Sequence, residues 1–327
     1  MIQFAPAKLT QRDAVLEIVD AAGYPGADLN FANLFLYREK YGIEIALENR
    51  ILYRRYKNAN PVDPSVSDPD STRGAISGTG VLGGPPDFAT YGYAFPVGDA
   101  EPEDMLAAVE ADAAERKCPV LFCLITEEQR EILESLRPGR YTYHLCRGSS
   151  DYLYRRDALV ELAGRKYHRK RNAPSRFKQE HPKYKYERLE EFNAADAMRV
   201  AESWFRKREL ANELTSGILD ERKVMDTAIR HFSELGITGG VLYVDGAPVA
   251  MSIASWTTRN TCDVHFEKAV PEMPLAFALV CNETARIMDG ALYVNRKEDM
   301  DIPGLRQAKL SWFPERIIMR YNAVPLP

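Results

Sequence analysis

The chain has no run of eighteen apolar residues, the length a membrane-spanning helix needs, and its start, "MIQFAPAKLTQRDAVLEIVD", lacks the basic end and apolar stretch of a secretion signal. A cytoplasmic protein is therefore expected. Its five cysteines (Cys118, Cys123, Cys146, Cys262 and Cys281) are odd in number, scattered and never in CxxC pairs, so neither a disulfide framework nor a zinc knuckle is implied. They read as reduced packing residues. Also missing are a GxxxxGK(S/T) phosphate loop, an HExxH helix and a GxSxG elbow. Those absences remove nucleotide hydrolysis, zincin proteolysis and serine hydrolysis as leading readings.

What is present is an ordinary globular composition: 327 residues, 45% hydrophobic and 28% charged, with a net charge of -4. That length suits two domains. Thr10 with Asp13 opens a first helix, Gly23 stops it, and Phe31, Leu34 and Phe35 give a second helix its apolar face. Strand-like runs follow at "IEIALEN", "ILYRRYK", "AISGTGVLGG" and "TYGYAF", interrupted at 58–73 by a polar, Pro-rich loop. Next come a helix from about Pro102 to Lys117, the strand "PVLFCLI", a helix opened by Thr126 and the strand "RYTYHLC".

The second half repeats this order without obvious sequence identity. Asn193 with Asp196 opens a helix, and "DERKVMDTAIRHFSELG" sets Val224, Met225, Ala228, Phe232 and Leu235 on one face before Gly236. A hairpin around Asp245-Gly246 and the strand "TCDVHFEK" form a meander. A helix from about Pro274 to Met288, the strand "ALYVN", a helix near "IPGLRQAKL" and the strand "RIIMRY" complete the series. Two matching series predict an α/β (α+β) tandem, each half a mixed sheet with helices packed on it. In each half the meander's last strand and the next strand, linked by a crossover helix, run parallel, and a ligand crevice opens where they diverge. The expected division is 1–150, a basic linker at 151–183, and 184–327.

That linker belongs to the most charged stretch, "GRKYHRKRNAPSRFKQEHPKYKYER", with ten Lys and Arg against two Glu. Pro174 is expected to kink or end any helix there. Interleaved Tyr167, Phe177, Tyr184 and Tyr186 suit base stacking, and clustered cations attract polyphosphates. RNA, an anionic cofactor and an anionic lipid headgroup all fit; a solvated helix is the plain alternative.

In "TCDVHFEK", strict alternation puts Asp263, His265 and Glu267 on one face. Glu267 or His265 is then placed to take a proton from an attacking amine. A metal site is not expected, since no second His lies close in sequence. Asn282 and Glu283 are polar members of an otherwise apolar helix. Asn295, Arg296, Glu298 and Asp299 follow a strand's carboxyl end, where Arg296 can fork to a carboxylate or phosphate and Lys309 can reach from the next helix.

The stretches "DYLYRRDALVELAGRKYHRKRNAPSRFKQEHP", "VHFEKAVPEMPLAFALVCNETA" and "YVNRKEDMDIPGLRQAKLSWFPERI" together resemble the phosphatidylglycerol lysyltransferase C-terminal domain family. The resemblance spans nearly the whole chain and implies two GNAT-like acyltransferase units in tandem. It implies acyl or aminoacyl transfer, with aminoacyl-tRNA or another activated acyl compound as donor and an amine or hydroxyl as acceptor. The residues matching its motifs, read as a ligand-site set, are Lys170, Arg171, Asn172, Glu267, Lys268, Asn282, Glu283, Asn295, Arg296, Glu298, Asp299, Lys309 and Ser311. Lys170, Arg171 and Arg176 are expected to hold donor phosphates. The Gln/Arg-x-x-Gly-x-Gly/Ala loop of coenzyme-A-binding GNAT units is replaced by "EKAVPEMPLAFA" and "AFPVGDAEPEDM", which argues against acyl-CoA in both halves. The relatives' membrane segments are absent as well, which argues against a lipid acceptor while leaving peripheral lipid contact open. The rival expectation is a noncatalytic protein that binds RNA or a small anionic metabolite.

Overall fold

The computed structural model describes residues 1–57, 91–213 and 215–326. The strand expected at "AISGTGVLGG" and the Pro-rich loop at 58–73 lie outside them. In chain order the elements are α1 (Arg12–Ala22), α2 (Phe31–Leu36), β1 (Ile43–Glu48), β2 (Ile51–Tyr56), β3 (Gly92–Tyr93), β4 (Val97–Gly98), α3 (Pro102–Glu115), β5 (Leu121–Ile125), α4 (Glu127–Leu136), β6 (Tyr141–Leu145) and β7 (Asp151–Arg155). There follow α5 (Arg156–Glu161), α6 (His168–Glu180), β8 (Lys185–Arg188), α7 (Ala194–Leu210), α8 (Ser216–Arg230), α9 (Phe232–Leu235), β9 (Ile237–Val244), β10 (Ala247–Thr258) and β11 (Thr261–Ala269). The last are α10 (Leu275–Ile287), β12 (Tyr293–Asn295), α11 (Pro303–Leu310), β13 (Arg316–Ile318) and β14 (Tyr321–Pro325). The expected architecture is present: two mixed sheets, each with helices packed on it.

The chain divides into a first unit of Met1–Tyr152, Lys297–Lys309 and Arg316–Pro327, and a second of Leu153–Arg296 and Leu310–Glu315. This corrects the contiguous division 1–150, 151–183 and 184–327. Residues 151–183 are not a separate linker, because β7 pairs into a sheet and α6 buries Phe177 in a core. The end of the chain also returns to the first unit.

In the first unit the sheet order is β1-β2-β3-β5-β14-β6, with β4 also paired to β2. β3 and β5 run parallel, as the crossover through α3 requires. β14 fills the place between β5 and β6, antiparallel to both. The single strand expected at "RIIMRY" is therefore two, β13 and β14. The core packs Tyr93, Leu106, Val109, Phe122, Leu133 and Ala323. α1 ends at Gly23, whose φ of 69° is the left-handed cap that glycine adopts without a Cβ penalty. α4 opens with a capping box: Thr126 Oγ1 accepts from Gln129 N at 3.2 Å, and the Gln129 side chain accepts from Thr126 N at 2.9 Å. Thr126→Ala should cost about 1 kcal/mol, read as a lower urea midpoint with an unchanged slope.

In the second unit the strands run β7-β12-β11-β10-β9-β8. β9 and β10 are joined by the Asp245-Gly246 turn, both residues at positive φ. β11 and β12 are parallel, and β7 pairs antiparallel to β12. The core includes Phe177, Leu242, Val244, Ala276, Leu279 and Val280, so the basic helix α6 is anchored by one apolar face. α6 continues through Pro174 rather than ending there, and that ring has no N–H to give the Lys170 carbonyl one turn earlier.

Candidate functional site

The second unit's parallel pair is short. β11 and β12 match only at Thr261, Cys262 and Asp263 with Tyr293, Val294 and Asn295. β11 then runs on to Ala269 while β12 stops, so the strands diverge at their carboxyl ends. Arg296, the residue after β12, donates to Glu267 on the free part of β11 at 2.5 Å and to Cys281 Sγ of α10 at 3.3 Å. Both ion-pair side chains are largely buried, 11% exposed for Arg296 and 7% for Glu267. The guanidinium also faces the rings of Tyr154 (5.8 Å) and Trp312 (5.5 Å).

Lys170 enters the same cluster from α6. Its Nζ donates to Ser311 Oγ at 2.6 Å and lies 4.7 Å from the centre of the Trp312 ring. Burial lowers its pKa and the Arg296 charge lowers it further, with Cys281 opposing weakly. Burial alone would depress Arg296, but Cys281 and Glu267 outweigh it and the guanidinium stays firmly charged. Burial drives the Cys281 thiol up despite the neighbouring cations. Two cations, one carboxylate, a hydroxyl and an indole face thus converge at the divergence.

Strict alternation along β11 fails, for a definite reason. Ile253 pairs with Phe266 and Ala254 with Val264, so His265 is the extra residue of a bulge, which switches faces. Glu267 lies opposite Ser252, whose hydroxyl accepts from Thr284 of α10 at 2.7 Å. Asp263 lies opposite Ser255, three residues along and so on the other face, and Ser255 Oγ bonds His265 Nε2 at 2.7 Å. His265 and Glu267 therefore do not share a face. Lys268 also turns away from Glu267, to Glu221 (2.8 Å) and over Trp204 of α7 (3.5 Å), and burial lowers its pKa although Glu221 opposes.

The other expected residues are placed elsewhere. Arg171 donates to the carbonyls of Leu162 and Gly164 beyond α5, Arg176 pairs with Glu180, and Asn172 is exposed. The Asn282 amide donates to the carbonyls of Leu159 (2.6 Å) and Val160 (2.9 Å), tying α10 to α5, while Glu283 pairs with Lys178 and Arg286. Asn295 is buried within β12. Glu298, Asp299 and Lys309 belong to the first unit. There Asp299 accepts from Tyr152 (2.6 Å) and Arg306 (2.8 Å). Burial would raise its pKa, but these donors bring it below the usual carboxylate value. Lys309 Nζ faces the Lys297 carbonyl at 3.4 Å and the Tyr152 ring.

Sequence reasoning had no reason to single out Tyr154, Cys281 or Trp312. The available signal for Trp312 was its position directly after Ser311. Among the described residues there is no group of three His, Cys, Asp or Glu suited to a metal ion.

The full chain superposes over 100% of both lengths on a conserved protein of unknown function from Bacteroides thetaiotaomicron, at 28% identity and a TM-score of 0.84. A C-terminal domain from Agrobacterium fabrum, provisionally named as a lysylphosphatidylglycerol synthetase, matches at 14% identity and TM-score 0.62, over 97% of this chain and 92% of that one. L-PGS from Bacillus licheniformis matches at 12% identity and TM-score 0.59, over 99% and 93%. A search of curated proteins returns no match. Residues 89–324 match the family described as phosphatidylglycerol lysyltransferase, C-terminal, and the chain belongs to that family.

Proposed function

We propose that the cluster of Lys170, Glu267, Arg296 and Ser311 is the active centre of an acyl or aminoacyl transferase, with aminoacyl-tRNA as donor and an amine or hydroxyl as acceptor. Family membership supports the reaction class. The observation that carries the reading is the Glu267–Arg296 pair set where β11 and β12 diverge, with Lys170 beside it. An aminoacyl ester is already activated, so positioning and charge do most of the work. Arg296 offers positive charge to an incoming anionic group and to the oxyanion that develops on the attacked carbonyl. Glu267 is the carboxylate available to take the acceptor's proton, and the cations exposed on α6, such as Arg169 and Arg176, draw in a polyphosphate donor. No described helix is long and apolar enough to cross a membrane, so a lipid acceptor would be met at a surface.

The test is incubation with labelled aminoacyl-tRNAs and a cell extract, followed by search for a labelled product. Wild type should transfer the label, and Glu267→Gln should slow transfer by about a hundredfold or more while keeping donor affinity. Tight, salt-sensitive RNA binding with no transfer from any donor would instead establish a noncatalytic RNA-binding protein.

A further inference from the structure

We propose that Ser311 is a nucleophile activated by Lys170, so that the acyl group passes through a covalent ester on this serine before reaching its acceptor. The inference rests on the transferase reading and gives it a chemical route. Its basis is the contact between Lys170 Nζ and Ser311 Oγ, 2.6 Å, in a partly buried setting. Ser311 is the residue directly after α11, and its chain neighbour Trp312 is buried and lays its ring against the Lys170 ammonium, which fixes the approach of amine to hydroxyl.

The surroundings favour a lysine that gives up its proton. The charged and titratable groups around it are Arg296 from the end of β12, Cys281 from α10 and Glu267 from β11. Glu267 pairs with Arg296 and not with Lys170, so it does not hold the lysine in its charged form. Burial comes first and the Arg296 charge second in lowering the lysine's pKa. A neutral amine one hydrogen bond from a hydroxyl is the base that a serine nucleophile requires. Cys281 is the weaker candidate, because burial keeps its sulfur as the thiol.

The steps balance. Ser311 Oγ bonds to the donor's carbonyl carbon as Lys170 Nζ takes the hydroxyl proton. The carbonyl carbon then releases the donor oxygen, which leaves with that proton. In the second half, the acceptor's amine or hydroxyl attacks the Ser311 ester, Glu267 takes its proton, and that proton passes by way of Lys170 to Oγ as the ester bond breaks. No oxidant, reductant or further reactant enters. Arg296, facing the same indole, supplies positive charge for both tetrahedral oxyanions.

The test uses the full chain and p-nitrophenyl acetate, which needs neither the natural donor nor the natural acceptor. Peptide mass spectrometry should find one acetyl group, on Ser311, absent from Ser311→Ala and formed about a hundredfold or more slowly in Lys170→Met. Acetylation should accelerate as pH rises through the Lys170 titration, below the ordinary lysine range. Circular dichroism of each variant checks that it is folded. Acetyl on Lys170 instead, no adduct at all, or aminoacyl transfer undiminished in Ser311→Ala would each overturn the covalent route. Undiminished transfer in that variant leaves the transferase reading standing. Labelled Ser311 without transfer from any aminoacyl donor removes that reading and keeps the nucleophile.

Discussion

Arg296→Met should destabilise the second unit by about 3–5 kcal/mol, because it strands the buried Glu267 carboxylate in a place from which water is largely excluded. Glu267→Gln alone should cost less, since the amide is neutral and the guanidinium keeps Cys281 and two aromatic faces as neighbours. The double variant should recover much of the loss, which is the signature of coupling between the two side chains. The measurement is favourable here: all three tryptophans, Trp204, Trp256 and Trp312, lie in the second unit, so their fluorescence during urea unfolding follows that unit. An Arg296→Met protein as stable as wild type would show that the pair does not hold the divergence together. A double variant that regains stability but not transfer would separate the pair's catalytic work from its structural work.

The first unit has its own buried charge cluster, and Arg320→Met should cost it a similar about 3–5 kcal/mol. Arg320 is 3% exposed and donates to Asp151 at 2.8 Å, to Asp28, and to the Leu124 carbonyl at 3.1 Å. Arg54 also pairs with Asp28, so the substitution leaves Asp151 as the stranded carboxylate. The pH dependence follows from the two shifts. Burial would raise Asp28, but Arg320 and Arg54 bring it below its ordinary value, so its contribution is fully present above about pH 4 and is lost as pH falls through the lower folded value. Burial raises Asp151 despite Arg320, so the folded form disfavours its charge, and that contribution to stability shrinks as pH rises through the carboxylate range. In Arg320→Met the Asp151 effect should grow. The variant's deficit, followed by far-ultraviolet circular dichroism in urea, should therefore be smaller near pH 4 than near pH 7. A deficit that does not change with pH would mean that Arg320 acts through packing alone.

The element order was legible because apolar spacing and turn residues carry it. Gly23, Thr126, Gly236 and Asp245-Gly246 each mark a boundary where the structure has one. The parallel pairing in each unit followed from the crossover helix. What local pattern could not reveal was the bulge at His265, since a period of two carries no mark of one inserted residue. Nor could it show that β14 pairs with strands nearly 200 positions earlier. For the site, Lys170, Glu267, Arg296 and Ser311 were named from the sequence and converge. Asn282, Glu283 and Asp299 were named on the same grounds yet hold helices and a loop, because a buried polar residue has the same appearance in sequence whether it serves a ligand or a neighbouring backbone.

The interior position of β14 bears on how the protein is made. While the ribosome is still short of Tyr321, β5 and β6 have no strand between them, and both present unpaired backbone along the gap. The first unit therefore completes its sheet only after the segment carrying β14 has been made and has threaded between β5 and β6. The carboxyl-terminal unit has all its chain, through Glu315, before that happens.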